Sequence, residues 1–178
     1  LNGDDVNSIV IDPSIYDIDK GEAEAPEVCY GSDQTFYEID GFVEIQAEDY
    51  SHCLSGLLHA SNSNWLIDTE NSGYNGTGYV TVIPDEKVKV EDTTDGPRLG
   101  YNISFSNVGL HHLWVRMSAP HGGSDSIHVG LNGLPITYGG VGLSTPPNGE
   151  WNWEYVPINV SSTGLHQLDI WMREDGVR

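Results

Sequence analysis

The sequence predicts an all-β protein: a jelly-roll β-sandwich with a strand-bearing arm at its N-terminus. Three observations lead there. Short runs alternate apolar and polar residues, as half-buried strands do. Turn signals separate them, in a chain with 21 Gly and 9 Pro. Long apolar stripes at the helical period are absent.

The alternating runs are "FVEIQAEDY" (42–50), "GYVTVI" (78–83), "RLGYNISF" (98–105), "HHLWVRMS" (111–118), "SIHVGLNG" (126–133), "WEYVPINV" (153–160) and "HQLDIWM" (166–172). Between them lie "NSGYNGTG", "DTTDGP", "SNVG", "APHGG", "NGLP", "PPNG" and "SSTG", each a recognisable turn or loop. Spacing of this kind suits a sandwich or jelly roll. Helix is confined to a turn or two, with "LSGLLHASNS" (54–63) the candidate. Residues 1–34 read as an arm, with a donor-like strand at about 5–12 and an acidic linker after it. Residues 35–178 read as the sandwich.

With 178 residues the chain can build one good core. A mean hydropathy of −0.34 and 38% apolar residues point to a soluble protein. No run approaches bilayer length. Leu1 followed by "NGDDVN" reads as a processed or trimmed start. The net charge is −20, from 27 acidic against 7 basic residues. That opposes binding to nucleic acid and to anionic membranes. It agrees with secretion and with use of a hard cation, and equally with plain solubility. Just over half of the acids lie in residues 1–50, where Lys20 is the one base.

The two cysteines are Cys29 and Cys53. In an exported protein they would close one bridge and staple the arm to the domain. Two free buried thiols are the alternative. No Cys/His spacing suggests zinc.

The chain's last residues pose a structural question. In "WMREDGVR" a strand ends, "EDG" turns, and a further strand is due after Val177 and Arg178. A sheet position left empty there would expose unpaired backbone over apolar side chains. At the other end, "VNSIVID" (6–12) is an isolated β-branched, strand-like run.

Five blocks in order, "FVEIQAEDYS", "NSGYNGTGYV", "LWVRMSAPHGGSDSIHVGLNG", "GEWNWEYV" and "GLHQLDIWMREDGVR", resemble carbohydrate-binding modules of the family 6 and 35 type. The resemblance spans about residues 38–178. It implies a galactose-binding-like β-sandwich of the kind found on secreted polysaccharide-degrading enzymes. In that family the "REDG" turn precedes a last strand of the form Val-Asp-Lys-Ile-Val-Leu. Residues Val6, Asn7, Ser8, Ile9, Val10 and Ile11 match that strand, with Asn7 where the family has Asp. Three readings follow. The arm folds back onto its own domain, it inserts into the next molecule, or residues 1–12 are a leader and the true last strand was trimmed. Insertion into a neighbour is the leading expectation, because a Cys29–Cys53 bridge would fix the arm's root and direct the rest outward; the result is an open head-to-tail filament.

The resemblance also implies a structural calcium. Gln46 and Glu48, two apart on one strand face, stand at the family's ligand positions, with Gln46 in place of Glu. Asn7 would be the last-strand ligand, and Asp68, Thr69 and Glu70 lie in a loop able to supply further oxygens. Family modules hold glycans on loop aromatics, which stack on sugar faces while amides bond hydroxyls. The candidates are Trp65, Tyr74, Tyr79, Tyr138, Trp151 and Trp153, with Asn75, Asn132 and Asn148. The competing reading puts Trp114, Trp153 and Trp171 in the core and Trp151 at the rim.

Nothing here resembles a catalytic constellation. His111 and His112 point to opposite faces of one strand and cannot chelate together. No enzyme is expected. Asn75, Asn102 and Asn159 head N-x-Ser/Thr triplets. The sequence therefore predicts an extracellular filament subunit joined to itself by strand exchange with calcium at the joint. The alternative is a calcium-dependent, non-catalytic carbohydrate-binding module of a secreted enzyme or adhesin, with a polysaccharide as partner.

Overall fold

The computed structural model describes residues 28–32, 34–93, 95–136 and 142–178. The donor-like segment 5–12, most of the acidic linker and Tyr138 lie outside the described residues. The fold is all-β. Its large layer is an eight-stranded sheet. In chain order its members are β1 (Val28–Tyr30), β2 (Thr35–Tyr37), β3 (His52–Leu54), β6 (Arg98–Phe105), β8 (Ser126–Leu131), β9 (Leu134–Pro135), β10 (Leu143–Ser144) and β12 (Gly164–Met172). The path is β1-β3-β6-β12-β8-β10, with β2 parallel on β6 and β9 on β8. Two antiparallel pairs complete the strand set: β4 (Asn64–Asp68) with β5 (Tyr79–Ile83), and β7 (Gly109–Met117) with β11 (Asn152–Val160).

Alternation builds the core. Leu99, Tyr101, Ile103 and Phe105 are the buried large residues of β6. Across the ladder, Leu168 faces Tyr101 and Ile170 faces Leu99, so apolar pairs meet on one face of the central strands. The β7–β11 ribbon supplies Val156, Ile158, Val160 and Met117. Trp65 packs against all three apolar clusters, and its indole N–H donates to Pro97 O at 2.9 Å. Tyr101 is buried and its hydroxyl donates to Ala47 O at 2.8 Å; burial pushes its pKa up.

The run at 42–50 departs from expectation. Phe42 makes one bridge with Ile39, residues 43–46 join no ladder, and Ala47–Asp49 form a 3-10 turn. Alternation alone does not make a strand; a bonded neighbour is also required. The helix candidate 54–63 contracts to one 3-10 turn, Leu58–Ala60.

The C-terminal stretch is buried and threaded. Arg173 through Val177 are all buried. Asp175 accepts from Glu86 N at 2.8 Å and Val88 N at 3.0 Å. Gly176 N donates to Val82 O, and Val90 N donates to Arg173 O. Gly176 has φ 73°, and a Cβ there would meet the Asp85 carboxylate at 2.5 Å. Only glycine fits that turn. Cys29 stands directly opposite Cys53 in the β1–β3 register.

Glu38 ties β2's exit to the β6–β7 turn. Its carboxylate accepts from Asn107 Nδ2 (2.9 Å), Asn107 N (2.9 Å) and Ser106 N (2.7 Å). These bonds, Asn107's side chain first, hold its pKa down at about 2, against 4.5 ordinarily. A depressed carboxylate stabilises the fold above its unfolded pKa and loses that contribution as pH falls through the folded one. Stability in an acid titration should therefore decline from pH 4.5 to about 2, and Glu38→Gln should flatten that part of the profile.

Candidate functional site

Two regions bring exposed aromatic and polar groups together. The first is the loop joining β4 to β5. Tyr79 is buried; its hydroxyl donates to Asp68 Oδ2 at 2.6 Å and accepts from Asn71 Nδ2 at 2.9 Å. Asp68 Oδ1 accepts from Thr69 N (2.6 Å) and Glu70 N (3.0 Å). These bonds, Tyr79's first, hold Asp68 below the usual carboxylate range. Burial, then the Asp68 bond, pushes Tyr79 up. Trp151 donates its indole N–H to Ser72 O at 2.9 Å and stands edge-on to Tyr79, ring centroids 5.7 Å apart. Tyr74 lies 5.9 Å from Tyr79. Gly73, at φ +103°, lets the loop lie on the indole, since a Cβ there would sit 2.8 Å from Trp151 Cδ1. The expected residues Tyr74, Tyr79 and Trp151 thus form one cluster.

The Gln46 and Glu48 side chains reach the same loop. Glu48 Oε1 accepts from Thr77 N (2.6 Å), Thr77 Oγ1 (3.1 Å) and Gly78 N (3.3 Å). A Cβ on Gly76 would collide with Glu48 Oε1 and lie 3.2 Å from Gln46 Oε1. Two side-chain oxygens therefore approach Gly76, and Glu48 Oε1 is already taken by the three loop donors. Asp68, with Thr69 and Glu70, is engaged in its own turn. Among the described residues, no three His, Cys, Asp or Glu side chains gather to hold a metal.

The second region is the outer face of the β7–β11 ribbon. The register sets Trp153 opposite Arg116, Tyr155 opposite Trp114, and Pro157 opposite His112. Trp114 is 55% exposed, Trp153 60% and Tyr155 44%. Trp114 and Tyr155 rings lie 4.7 Å apart and 31° from parallel, and His112 sits 5.8 Å from Tyr155. The Arg116 guanidinium lies 5.5 Å over the Trp151 ring, which joins this face to the loop cluster.

The structure corrects the core reading of Trp114 and Trp153: both face outward. Of the three, Trp171, 5% exposed, is in the core. Alternation set the two faces of β7 apart, but large aromatics on one and Leu113 and Val115 on the other gave no sign of which was inside. Tyr155 was missed for the same reason. Trp65 serves packing. Asn132 holds a turn, accepting from Gln167 N at 3.0 Å and donating to His166 Nδ1 at 2.9 Å. Asn148 accepts from Glu150 N at 2.9 Å within its own loop. Asn75 and Asn159 are exposed, and Asn102 is half-buried within the sheet. His111 turns inward toward Phe105 and Glu38, and His112 outward.

The site is thus an all-β sandwich with a row of aromatics turned outward on one ribbon. Residues 35–178 match the glycosyl hydrolase family 115 C-terminal domain, and the chain belongs to that family. The match does not single out the family 6 or 35 modules. "Uncharacterized protein P23" of Formosa agariphila is 25% identical over 180 residues, covering 79% of this chain and 43% of that protein. The chain thus spans less than half the length of this relative. Among solved structures, the cycloisomaltooligosaccharide glucanotransferase of a Paenibacillus species, complexed with cycloisomaltoheptaose, matches at TM-score 0.44 and 17% identity. It covers 65% of this chain and 15% of that one.

Proposed function

We propose that this domain is a non-catalytic polysaccharide-binding module of an extracellular, carbohydrate-active protein. The observation that carries the reading is the outward face of the β7–β11 ribbon. Three large aromatics stand exposed in adjacent rows and continue through Arg116 to Trp151. Side chains so costly to leave in water suit the apolar faces of a glycan chain. The rows favour an extended chain over a single sugar. The −20 charge favours a glycan without dense negative charge. Membership of a family named for the C-terminal domain of a glycosyl hydrolase supports the same reading.

Two accessory features belong with it. Gln46 and Glu48, with Asn7, would hold a calcium ion that braces the Gly76 loop. The opposed Cys29 and Cys53 would close a disulfide, since directly paired antiparallel residues bring their Cα atoms within bridging range. A second reading, a filament subunit joined by strand exchange, is favoured by one specific observation: among the described strands, β7 is paired along one edge only.

Binding to a panel of neutral polysaccharides, followed by calorimetry, tests the main reading. Trp114→Ala should weaken the best ligand about tenfold or more, with the melting temperature nearly unchanged because the side chain is exposed. Retained affinity in Trp114→Ala and Trp153→Ala would sink it. Calcium should raise the melting temperature of the native chain and not of Glu48→Gln; equal shifts would remove the ion from that loop. Alkylation without reductant should modify neither cysteine. Electron micrographs decide the second reading, which predicts uniform filaments and fails on isolated particles.

A further inference from the structure

An Asn–Gly step can react with itself. The glycine nitrogen attacks the asparagine side-chain carbon, unhindered because glycine has no Cβ. Three such steps lie among the described residues: Asn75–Gly76, Asn132–Gly133 and Asn148–Gly149, all of them exposed. The dipeptide is the same in each, so the fold decides which one reacts.

Two are locked. The Gly133 N–H donates to Asp169 Oδ2 at 2.7 Å, and the Asn132 side chain is tied to Gln167 and His166. The Gly149 N–H donates to Ala119 O at 2.8 Å. Asn148 Oδ1 accepts from Glu150 N and Asn152 Nδ2. In both, the attacking nitrogen and the target amide must first give up their partners. Asn75–Gly76 differs. Among the described residues, nothing bonds the Gly76 N–H or the Asn75 side chain. The next two residues are held, because Thr77 N and Gly78 N donate to Glu48. The free step thus sits just ahead of an anchor. Asn75 also lines the large groove beside Tyr74 and Trp151.

We propose that the fold singles out Asn75 for spontaneous deamidation to aspartate and isoaspartate, and that isoaspartate loosens the Thr77–Gly78 anchor on Glu48. The Gly76 nitrogen gives up its proton and bonds to Asn75 Cγ. The Cγ–Nδ2 bond breaks, and ammonia leaves with a proton in place of the one lost, closing a succinimide. Water then opens the ring at either carbonyl. Opening at Cγ gives aspartate on the original backbone. Opening at the main-chain carbonyl routes the backbone through Cγ, which is isoaspartate. No electrons are exchanged, and water is the co-reactant. Either product adds a negative charge to the loop that Glu48 and Asp68 already hold. Isoaspartate also lengthens the main chain ahead of the two N–H groups that Glu48 gathers, so their aim changes.

Ageing the chain, made without glycan on Asn75, in mildly alkaline buffer tests this, because the attacking N–H must ionise. Peptide mapping by mass spectrometry follows each asparagine separately. In the folded protein Asn75 should convert at least about tenfold faster than Asn132 and Asn148, and in urea the three rates should converge. Equal rates in the folded chain overturn the proposal. A preference for Asn75 that persists unchanged in urea also overturns it, since the fold then selects nothing. The isoaspartate form separates by its added charge. Its Thr77 and Gly78 amides should exchange hydrogen about tenfold faster than in fresh protein. Asn75→Gln, whose longer side chain closes the larger ring far more slowly, should keep the fresh rates on ageing. Unaltered exchange at Thr77 and Gly78 in the isoaspartate form overturns the loosening.

Discussion

A strand inside a sheet must satisfy hydrogen bonds on both edges, and among the described strands β7 does so on one edge, with β11. In the large layer, β6 and β12 lie between neighbours and bury their apolar faces. The opposing layer is split into β4–β5 and β7–β11, with an open channel running to the core. Residues 42–48 line that gap, and 43–46 join no ladder. The ribbon's opposite face carries the aromatic surface.

The loops around this gap are fixed by carboxylates that gather backbone N–H groups. Asp175 bonds Glu86 and Val88, Glu38 bonds Ser106 and Asn107, Glu48 bonds Thr77 and Gly78, and Asp68 bonds Thr69 and Glu70. Each satisfies donors that irregular backbone would otherwise leave open. In a chain so acidic this is an economical use of charge: part of the negative surface is spent on shaping loops. The aromatic cluster depends on it, because Asp68 holds Tyr79, and Tyr79 meets both Tyr74 and Trp151.

Most of the strand layout was legible in the sequence. The runs at 98–105, 126–133, 153–160 and 166–172 correspond closely to β6, β8, β11 and β12, because period-two alternation and flanking glycine turns are local signals. Facing was not legible. A strand with Trp on one face and Leu on the other has no local rule for which is inside; the answer lies in what packs across from it. Tyr74, Tyr79 and Trp151 were foreseeable as a group through the family likeness. The Trp114–Tyr155 row was not, since it exists only in the cross-strand register of two segments far apart in sequence.

The uneven burial of the five tryptophans has an optical consequence. Trp114 and Trp153 sit in water, while Trp171 is enclosed and Trp65 is held by a hydrogen bond within the core. Exposed indoles emit at longer wavelength and are reached by dissolved quenchers; enclosed ones are not. The molecule therefore carries two built-in reporters, one for the ribbon face and one for the interior. A quencher titration separates events at the surface from loosening of the core without any label.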